Sequence, residues 1–289
     1  MSSTRPAAVA GTFYPANPAE LGATVDRLLG GVSVENSACP KALIVPHAGF
    51  IYSGAIAASG FARIAKVAER LDRVVIVSPG HRVYFEGLTW PGTDFLATPL
   101  GEVAVDVDAI RAIPELVAHP AAHAREHAIE VELPFIQRLC PRAKVIPIAA
   151  SHASPQVVGK VLEQLWGGPE TLIVISSDLS HYHPYADARE RDRRTAAKII
   201  ALDTGLEGDE ACGCTGINGL AWLGRKRHLR AEVIDLLNSG DTAGTRSFGA
   251  ASAVESGASL GRGHAEDQFG LGRDEVVGYG AFALYEEVA

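Results

Sequence analysis

Short apolar runs alternate along the chain with segments in which hydrophobic residues recur at helical spacing. The runs are rich in valine and isoleucine and are bounded by turn residues, which is typical of buried strands. The pattern predicts strands at 41–46, 73–78, 144–149, 171–176, 231–237 and 275–284. It predicts helices at 53–67, 126–139, 155–165, 186–203 and 216–227, with Ser53 as the candidate N-cap of the first. Strands that alternate with helices indicate an α/β fold with a mostly parallel central sheet covered on both faces.

The pattern gives no reason to divide the chain into two domains. We find no internal repeat, and the stretch 249–274 is rich in glycine, alanine and serine, which favours a flexible surface loop. This loop lies too late in the sequence to separate two domains. We therefore expect residues 1–289 to form a single three-layer α/β/α domain.

Polar side chains follow three of the predicted strands at the point where each strand ends. His47 follows the first strand, His81 follows the second after a Ser-Pro-Gly turn, and Asp178 and His181 follow the strand at 171–176. In open α/β sheets, ligands bind in the crevice beyond the carboxyl ends of the strands. Neutral imidazole is the commonest metal ligand in proteins. The spacing predicts a metal or catalytic site, although each histidine alone could serve only to hold its own loop.

Two cysteines add candidate ligands. Cys212 and Cys214 precede the helix at 216–227, where the helix N-terminus is expected to lower the pKa of a thiol and favour the ligating thiolate. The C-x-C spacing argues against a thioredoxin-type redox pair. The alternative is that both are small buried residues at a glycine-rich turn.

The segment HAREH, residues 123–127, fits the H-x-x-E-H pattern of one class of zinc peptidase. On a helix, His123 and His127 would share one face, with Glu126 beside them as the base. The interpretation we prefer is that Glu126, His127 and Glu130 line the crevice and orient the metal ligands through hydrogen bonds. We assign Glu132 to a polar helix face.

Composition narrows the classes of function. The chain has 289 residues, of which 47% are hydrophobic, and its net charge of −8 argues against a protein that binds nucleic acid through its phosphates. Four cysteines are too few for a disulfide framework in a chain of this length, and we find neither a signal peptide nor an apolar run long enough for a bilayer. We therefore expect a cytoplasmic protein with no membrane partner.

Motifs for common cofactors and nucleophiles are missing from the sequence. There is no phosphate-binding G-x-x-x-x-G-K-[ST] loop, and no G-x-G-x-x-G follows a strand at the start of a helix, so no nucleotide cofactor is expected. No G-x-S-x-G elbow surrounds Ser177 or Ser180, which argues against a serine hydrolase.

Seven segments, taken in order, resemble the Memo family, whose prokaryotic members are called AmmeMemoRadiSam system protein B. They are RPAAVAGTFYPANPAEL, PHAGFIYSG, SPGH, EHAIEVELPF, SSDLSHY, ACG before a helix, and VVGYGAFAL. The resemblance covers residues 5–284. It implies a fold like that of the class III extradiol dioxygenases, which cleave catechol rings with non-haem iron.

The resemblance also implies roles for individual residues. His47, His81 and Cys212 would bind the metal, and His181 would act as catalytic acid or base beside Asp178. Cys214-Thr215-Gly216 departs from the family pattern, in which a proline precedes the helix, so Cys214 is an alternative ligand.

Two functions follow from this resemblance. The first is a metal-dependent oxidoreductase that acts on a small molecule with O₂, using Fe(II) or Cu, with Zn as a further candidate. The second is a non-catalytic module that recognises a peptide or protein partner through the same pocket. The family name further suggests a functional link to an AMMECR-type protein and a radical SAM enzyme.

Overall fold

The computed structural model describes residues 2–34, 38–242 and 275–286. The predicted loop at 249–274 lies outside these residues. The strands are β1 (Thr4–Arg5), β2 (Ala42–Val45), β3 (Arg73–Ser78), β4 (Gly87–Trp90), β5 (Phe95–Thr98), β6 (Gly101–Ala104), β7 (Leu116–Ala118), β8 (Lys144–Ser151), β9 (Thr171–Ser176), β10 (His181–His183), β11 (Arg230–Asn238) and β12 (Val276–Tyr285). The helices are α1 (Pro18–Gly30), α2 (Phe50–Phe61), α3 (Val107–Arg111), α4 (Pro120–His123), α5 (Leu133–Leu139), α6 (Pro155–Gln164), α7 (Tyr185–Ile200), α8 (Cys214–Lys226) and α9 (Ser239–Thr242). Short 3₁₀ turns occupy Ala62–Ile64, Ala68–Arg70 and Glu130–Glu132.

The central sheet has the strand order β10-β12-β2-β9-β3-β8-β4-β7, and β11 pairs with β12. Its middle strands β2, β9, β3 and β8 are all parallel, whereas β12 and β4 run antiparallel to their neighbours β2 and β8. Helix α2 packs on β2, β11 and β12, and α8 packs on β8 and β9 with α6 against it. The predicted α/β class and large central sheet are therefore confirmed.

The parallel middle of the sheet determines where the site forms. Val45 pairs with Ser176 and Val77 pairs with Ile175, so β2, β9 and β3 end side by side. Strands β2 and β9 are buried along their whole length, which explains why they appear in the sequence as unbroken apolar runs. The loops that follow β2, β3 and β9 consequently leave the sheet at one edge.

Several elements differ from the predicted ones. Helix α2 begins at Phe50 after Gly49, and Ser53 is not its N-cap because its hydroxyl donates to the carbonyl of Ala48. The helix predicted at 126–139 consists of a 3₁₀ turn followed by α5. Strands β1, β5 and β6 form a separate three-stranded sheet that the apolar pattern did not indicate. Within the described ranges, each helix is too short or too polar to cross a lipid bilayer.

Gly278 in β12 gives a test of packing beside the site. A Cβ atom at this position would lie 2.1 Å from Oδ2 of Asp192, whose Oδ1 accepts a hydrogen bond from the backbone N–H of Ser180. We expect Gly278→Ala to lower the free energy of unfolding by about 2 kcal/mol, because the added methyl must displace this buried carboxyl. Urea denaturation measures the change, with Gly208→Ala as the control, since a Cβ at Gly208 meets no heavy atom within 4 Å. Equal stability losses in the two variants would contradict the packing argument.

Candidate metal centre

Three histidines from different parts of the chain meet at the edge where β2 and β3 end. His47 follows β2, His81 follows β3, and His127 lies shortly before the 3₁₀ turn that leads into α5. One ligand atom from each lies within 4.8 Å of the ligand atoms of the other two. The ring centroids are 5.2 Å apart for His47 and His81 and 4.8 Å apart for His81 and His127. Three imidazoles this close together could hold a metal ion.

His47 is buried and is held on both sides of its ring. Its Nδ1 lies 2.8 Å from Oγ of Ser176, and its Nε2 lies 3.4 Å from Sγ of Cys212. Its backbone N–H donates to Oδ1 of Asp178 at 2.9 Å. Burial, and after it the neighbouring His81, lowers the pKa of His47 well below its usual range. The ring is therefore neutral, which is the form that binds metals.

Glu126 anchors the other two histidines. Its carboxylate accepts hydrogen bonds from the backbone N–H of His81 at 2.6 Å and of His127 at 2.8 Å, and its Oε1 lies 2.9 Å from Nδ1 of His81. Burial raises the pKa of Glu126, but the hydrogen bond with His81 and the charges of the two histidines outweigh burial, and the net pKa is lowered. Glu126 is thus an anionic acceptor that leaves Nε2 of His81 free.

His127 contributes a buried nitrogen without a hydrogen-bond partner. Its Nδ1 has no hydrogen bond to any described residue, although Oε1 of Glu126 lies 3.4 Å away. The ring stacks on His81 and lies 4.7 Å from the ring of Phe13, centroid to centroid. Burial, with a contribution from His47, lowers the pKa of His127 to about 3. Buried polar atoms normally find a partner, so this orphan nitrogen fits a ligand-binding site.

Cys212 is the cysteine whose sulfur contacts the cluster, and Gly213 makes that contact possible. A Cβ at Gly213 would lie 2.6 Å from Cβ of Ser177 and 2.8 Å from the carbonyl oxygen of Ser176, so only glycine lets the start of α8 pack directly on the end of β9. Without a bound metal, the surroundings of Cys212 act against the lowered pKa expected from the helix N-terminus. Burial and the nearby Asp178 raise the pKa of Cys212, and burial also raises the pKa of Cys214, the first residue of α8.

A cavity of about 260 Å³ opens above the three histidines. Asp178 and His181, the residues expected after β9, both line it, and His181 begins strand β10. Burial raises the pKa of Asp178, and the charge of His181 opposes this effect. The structure therefore brings His47, His81, His127, Asp178 and His181 to one cavity, with Cys212 in contact with His47 and Glu126 behind His81.

Comparison with known proteins shows the family of this chain. The profile described as "Memo-like protein" matches residues 5–253. This chain belongs to the Memo-like family. It is 36% identical over 258 residues to a MEMO1 family protein of Aquifex aeolicus, covering 83% of this chain and 94% of that protein. It is 32% identical over 250 residues to a MEMO1 family protein of Archaeoglobus fulgidus, covering 81% and 92% respectively.

The zinc-peptidase interpretation of HAREH does not fit this Memo-like chain. Helix α4 ends at His123, so His123 and His127 do not lie on one helix. Nε2 of His123 is buried 3.1 Å from Oγ1 of Thr89, and His123 is not part of the histidine cluster found among the described residues. Glu130 also departs from expectation, because its carboxylate pairs with Arg5 and does not line the cavity.

Several residues of the Memo-like site escaped the sequence analysis. Ser176, the last residue of β9, and Glu132, assigned to a polar helix face, are both fully buried behind His47. Tyr279 lines the cavity from β12, although the sequence pattern of its segment indicates only an apolar strand. The one local signal was the position of Glu132 among apolar residues in EVELPF, which is unusual for an exposed carboxylate.

Proposed function

We propose that this Memo-like protein is a non-haem metal-dependent oxidoreductase that acts on a small molecule and uses O₂ as the oxidant. The observation that carries the proposal is the cluster of His47, His81 and His127, whose ligand atoms lie within 4.8 Å of one another beside a cavity of about 260 Å³. A cavity of this size suits a small molecule better than a folded partner.

The donor set fits a transition metal. Burial lowers the pKa of His47 and of His127, which keeps both rings in the neutral form that binds metals, and His127 has a buried nitrogen that no described residue satisfies. Imidazole suits iron, copper and zinc alike, and the Cys212 thiol beside His47 adds a softer donor. We propose Fe(II) or Cu, with Zn as a further candidate. When bound, iron or copper would supply one-electron and O₂ chemistry, whereas zinc, which has no redox chemistry, could only polarise a bound group.

The remaining cavity residues would handle protons and position the substrate. His181 would move a proton to or from the substrate, since its ring lines the cavity beside Asp178. Asp178 would hold the backbone of His47 through its hydrogen bond and bias the charge of His181. Glu126 would keep His81 and His127 in fixed orientations.

Metal analysis of protein purified without a histidine tag tests the proposal. The wild-type protein is expected to contain about one equivalent of a transition metal, and the double variant His47→Ala/His81→Ala is expected to contain none, since two of three ligands are removed. The matched control is His228→Asn, at an exposed histidine whose backbone φ of 54° an asparagine tolerates. Undiminished metal in the double variant would refute the metal site.

One observation favours recognition of a peptide or protein as a second function. Tyr182 lines the cavity, yet its side chain is 50% exposed at the surface. Exposed tyrosines are frequent anchors of protein contacts. A functional link to an AMMECR-type protein and a radical SAM enzyme would belong with this alternative. Capture of peptides from a random library that depends on Tyr182 but survives His181→Ala would favour it over catalysis.

A further inference from the structure

Ser176 stands where three polar groups meet behind the cluster. Its Oγ lies 2.8 Å from Nδ1 of His47, 2.8 Å from the carbonyl oxygen of Ala128 and 2.8 Å from Oε1 of Glu132. All four residues are buried. Because no solvent reaches this position, these groups can form hydrogen bonds only with one another.

Counting hydrogens decides the direction of the bond to His47. A serine hydroxyl has one hydrogen to donate and can accept two hydrogen bonds. The Ala128 carbonyl can only accept. If Glu132 is ionised, it also can only accept, and if it is neutral, it can donate to Ser176 while the serine donates to Ala128. In either case, turning the hydrogen of Ser176 towards Nδ1 of His47 would leave one more oxygen–oxygen contact of 2.8 Å without a hydrogen, so the arrangement in which Nδ1 donates is favoured.

Glu132 is an unusual residue for this position in the core. It is completely buried, none of the ion pairs among the described residues includes it, and its Oε2 has no hydrogen-bond partner there. Among the described residues, its side chain hydrogen-bonds to Ser176 through Oε1. A carboxyl group buried in this way costs free energy relative to an apolar side chain of similar size. Glu132 contacts Ser176, which in turn contacts the ring of His47. A buried carboxyl that costs free energy at this position points to a role in positioning that ring.

We propose that Ser176 and Glu132 are positioning residues that keep the ring proton of His47 on Nδ1 and so direct the lone pair of Nε2 towards the cluster. The inference rests on the proposed function, because a fixed tautomer of His47 is useful only if this ring binds a metal. The tautomer itself can be observed in the protein without a metal. The contact of Cys212 agrees with it, because a thiol 3.4 Å from an unprotonated Nε2 can donate its hydrogen there.

The tautomer can be measured directly by long-range ¹H–¹⁵N NMR on protein labelled in its histidine rings and stripped of metal with a chelator. His47→Ala assigns the signals of this ring among the ten histidines. We expect the wild type and Glu132→Gln to show the Nδ1–H form, because a glutamine amide can still bond to Ser176. Glu132→Leu and Ser176→Ala should each show a detectable fraction of the Nε2–H form.

Co(II) titration provides the second readout. The same two variants are expected to bind Co(II) about 10- to 100-fold more weakly than the wild type, as is usual when the hydrogen-bond partner of a ligand is removed. Glu132→Leu is expected to unfold at the same or a higher temperature, since it replaces a buried carboxyl with an apolar group. A merely structural role would instead lower the unfolding temperature and leave the tautomer unchanged.

The outcomes separate this inference from the proposed function. If the wild type shows Nδ1–H and the variants shift, but Co(II) does not bind, the tautomer control stands and the metal proposal fails. If Co(II) binds and neither variant changes the tautomer, the inference is overturned. Should Glu132→Leu fail to fold, Ser176→Ala decides the matter, because it removes a single oxygen.

Discussion

His127→Ala is expected to lower the affinity of the protein for Co(II) by more than about a hundredfold. Loss of an outer hydrogen-bond partner of a metal ligand commonly costs ten- to a hundredfold, and removal of a ligand itself should cost at least as much. His127 supplies one of the three ligand atoms that lie within 4.8 Å of one another, and Glu126 fixes its backbone. Competition against a chromogenic chelator measures the affinity.

Cys212→Ser is the informative companion, because the resemblance to the Memo family implies Cys212 as the third ligand. If the three histidines are the ligands, this variant retains Co(II) within about tenfold and the loaded wild type shows no thiolate-to-metal absorption. If Cys212→Ser loses Co(II) while His127→Ala retains it, the ligand set is His47, His81 and Cys212. The two variants together therefore decide between the two candidate sets of metal ligands.

Arg5→Ala is expected to lower the free energy of unfolding by about 3–5 kcal/mol, as is typical when one partner of a buried ion pair is removed. The Arg5 guanidinium lies 2.7 Å from Oε2 of Glu130, and both side chains are almost completely buried. It also donates to the carbonyl oxygens of His123, at 2.7 Å, and Glu126. The substitution would leave a buried carboxylate without a cation and would remove one donor from each of the two carbonyls. Urea denaturation measures the loss.

Arg138→Ala provides the matched control. Arg138 pairs with Asp26 at 2.6 Å, but the two side chains are 44% and 52% exposed. An exposed pair contributes about 0–1 kcal/mol, so this variant should be nearly as stable as the wild type. Similar losses in the two variants would show that burial does not decide the strength of the Arg5 pair. A loss of Co(II) affinity in Arg5→Ala alone would show that Glu126 depends on this contact.

The sequence was a good guide to the strands that carry the site. Strands β2, β3 and β9 are buried on both faces, and such strands appear as apolar runs whose ends are easy to recognise. The side chains that follow these ends, from His47 to His181, could be placed together because parallel strands share a carboxyl edge. This inference needed only local pattern and a general rule of sheet topology.

Features that depend on distant parts of the chain could not be predicted in the same way. The helix N-terminus suggested a ligating Cys212 thiolate, but burial and the charge of Asp178, which comes from another loop, raise the pKa of this thiol instead. The position of His127 beside His47 depends on Glu126, which accepts hydrogen bonds from the backbone of His127 and of His81. Because His81 lies in the loop after β3, far away in the sequence, this role of Glu126 could not be predicted from the local pattern. Strands β1 and β5 pair across about ninety residues and have no long apolar run.

The pairing of β10 with β12 divides the cavity between two parts of the chain. The cluster histidines come from loops beside β2, β3 and α5, whereas Tyr182, Val277 and Tyr279 on the facing side belong to β10 and β12. Substitutions in β10 and β12 can therefore reshape the space offered to a ligand without touching a histidine of the cluster. Members of one family could in this way keep the histidine cluster while they diverge in the shape of the cavity beside it.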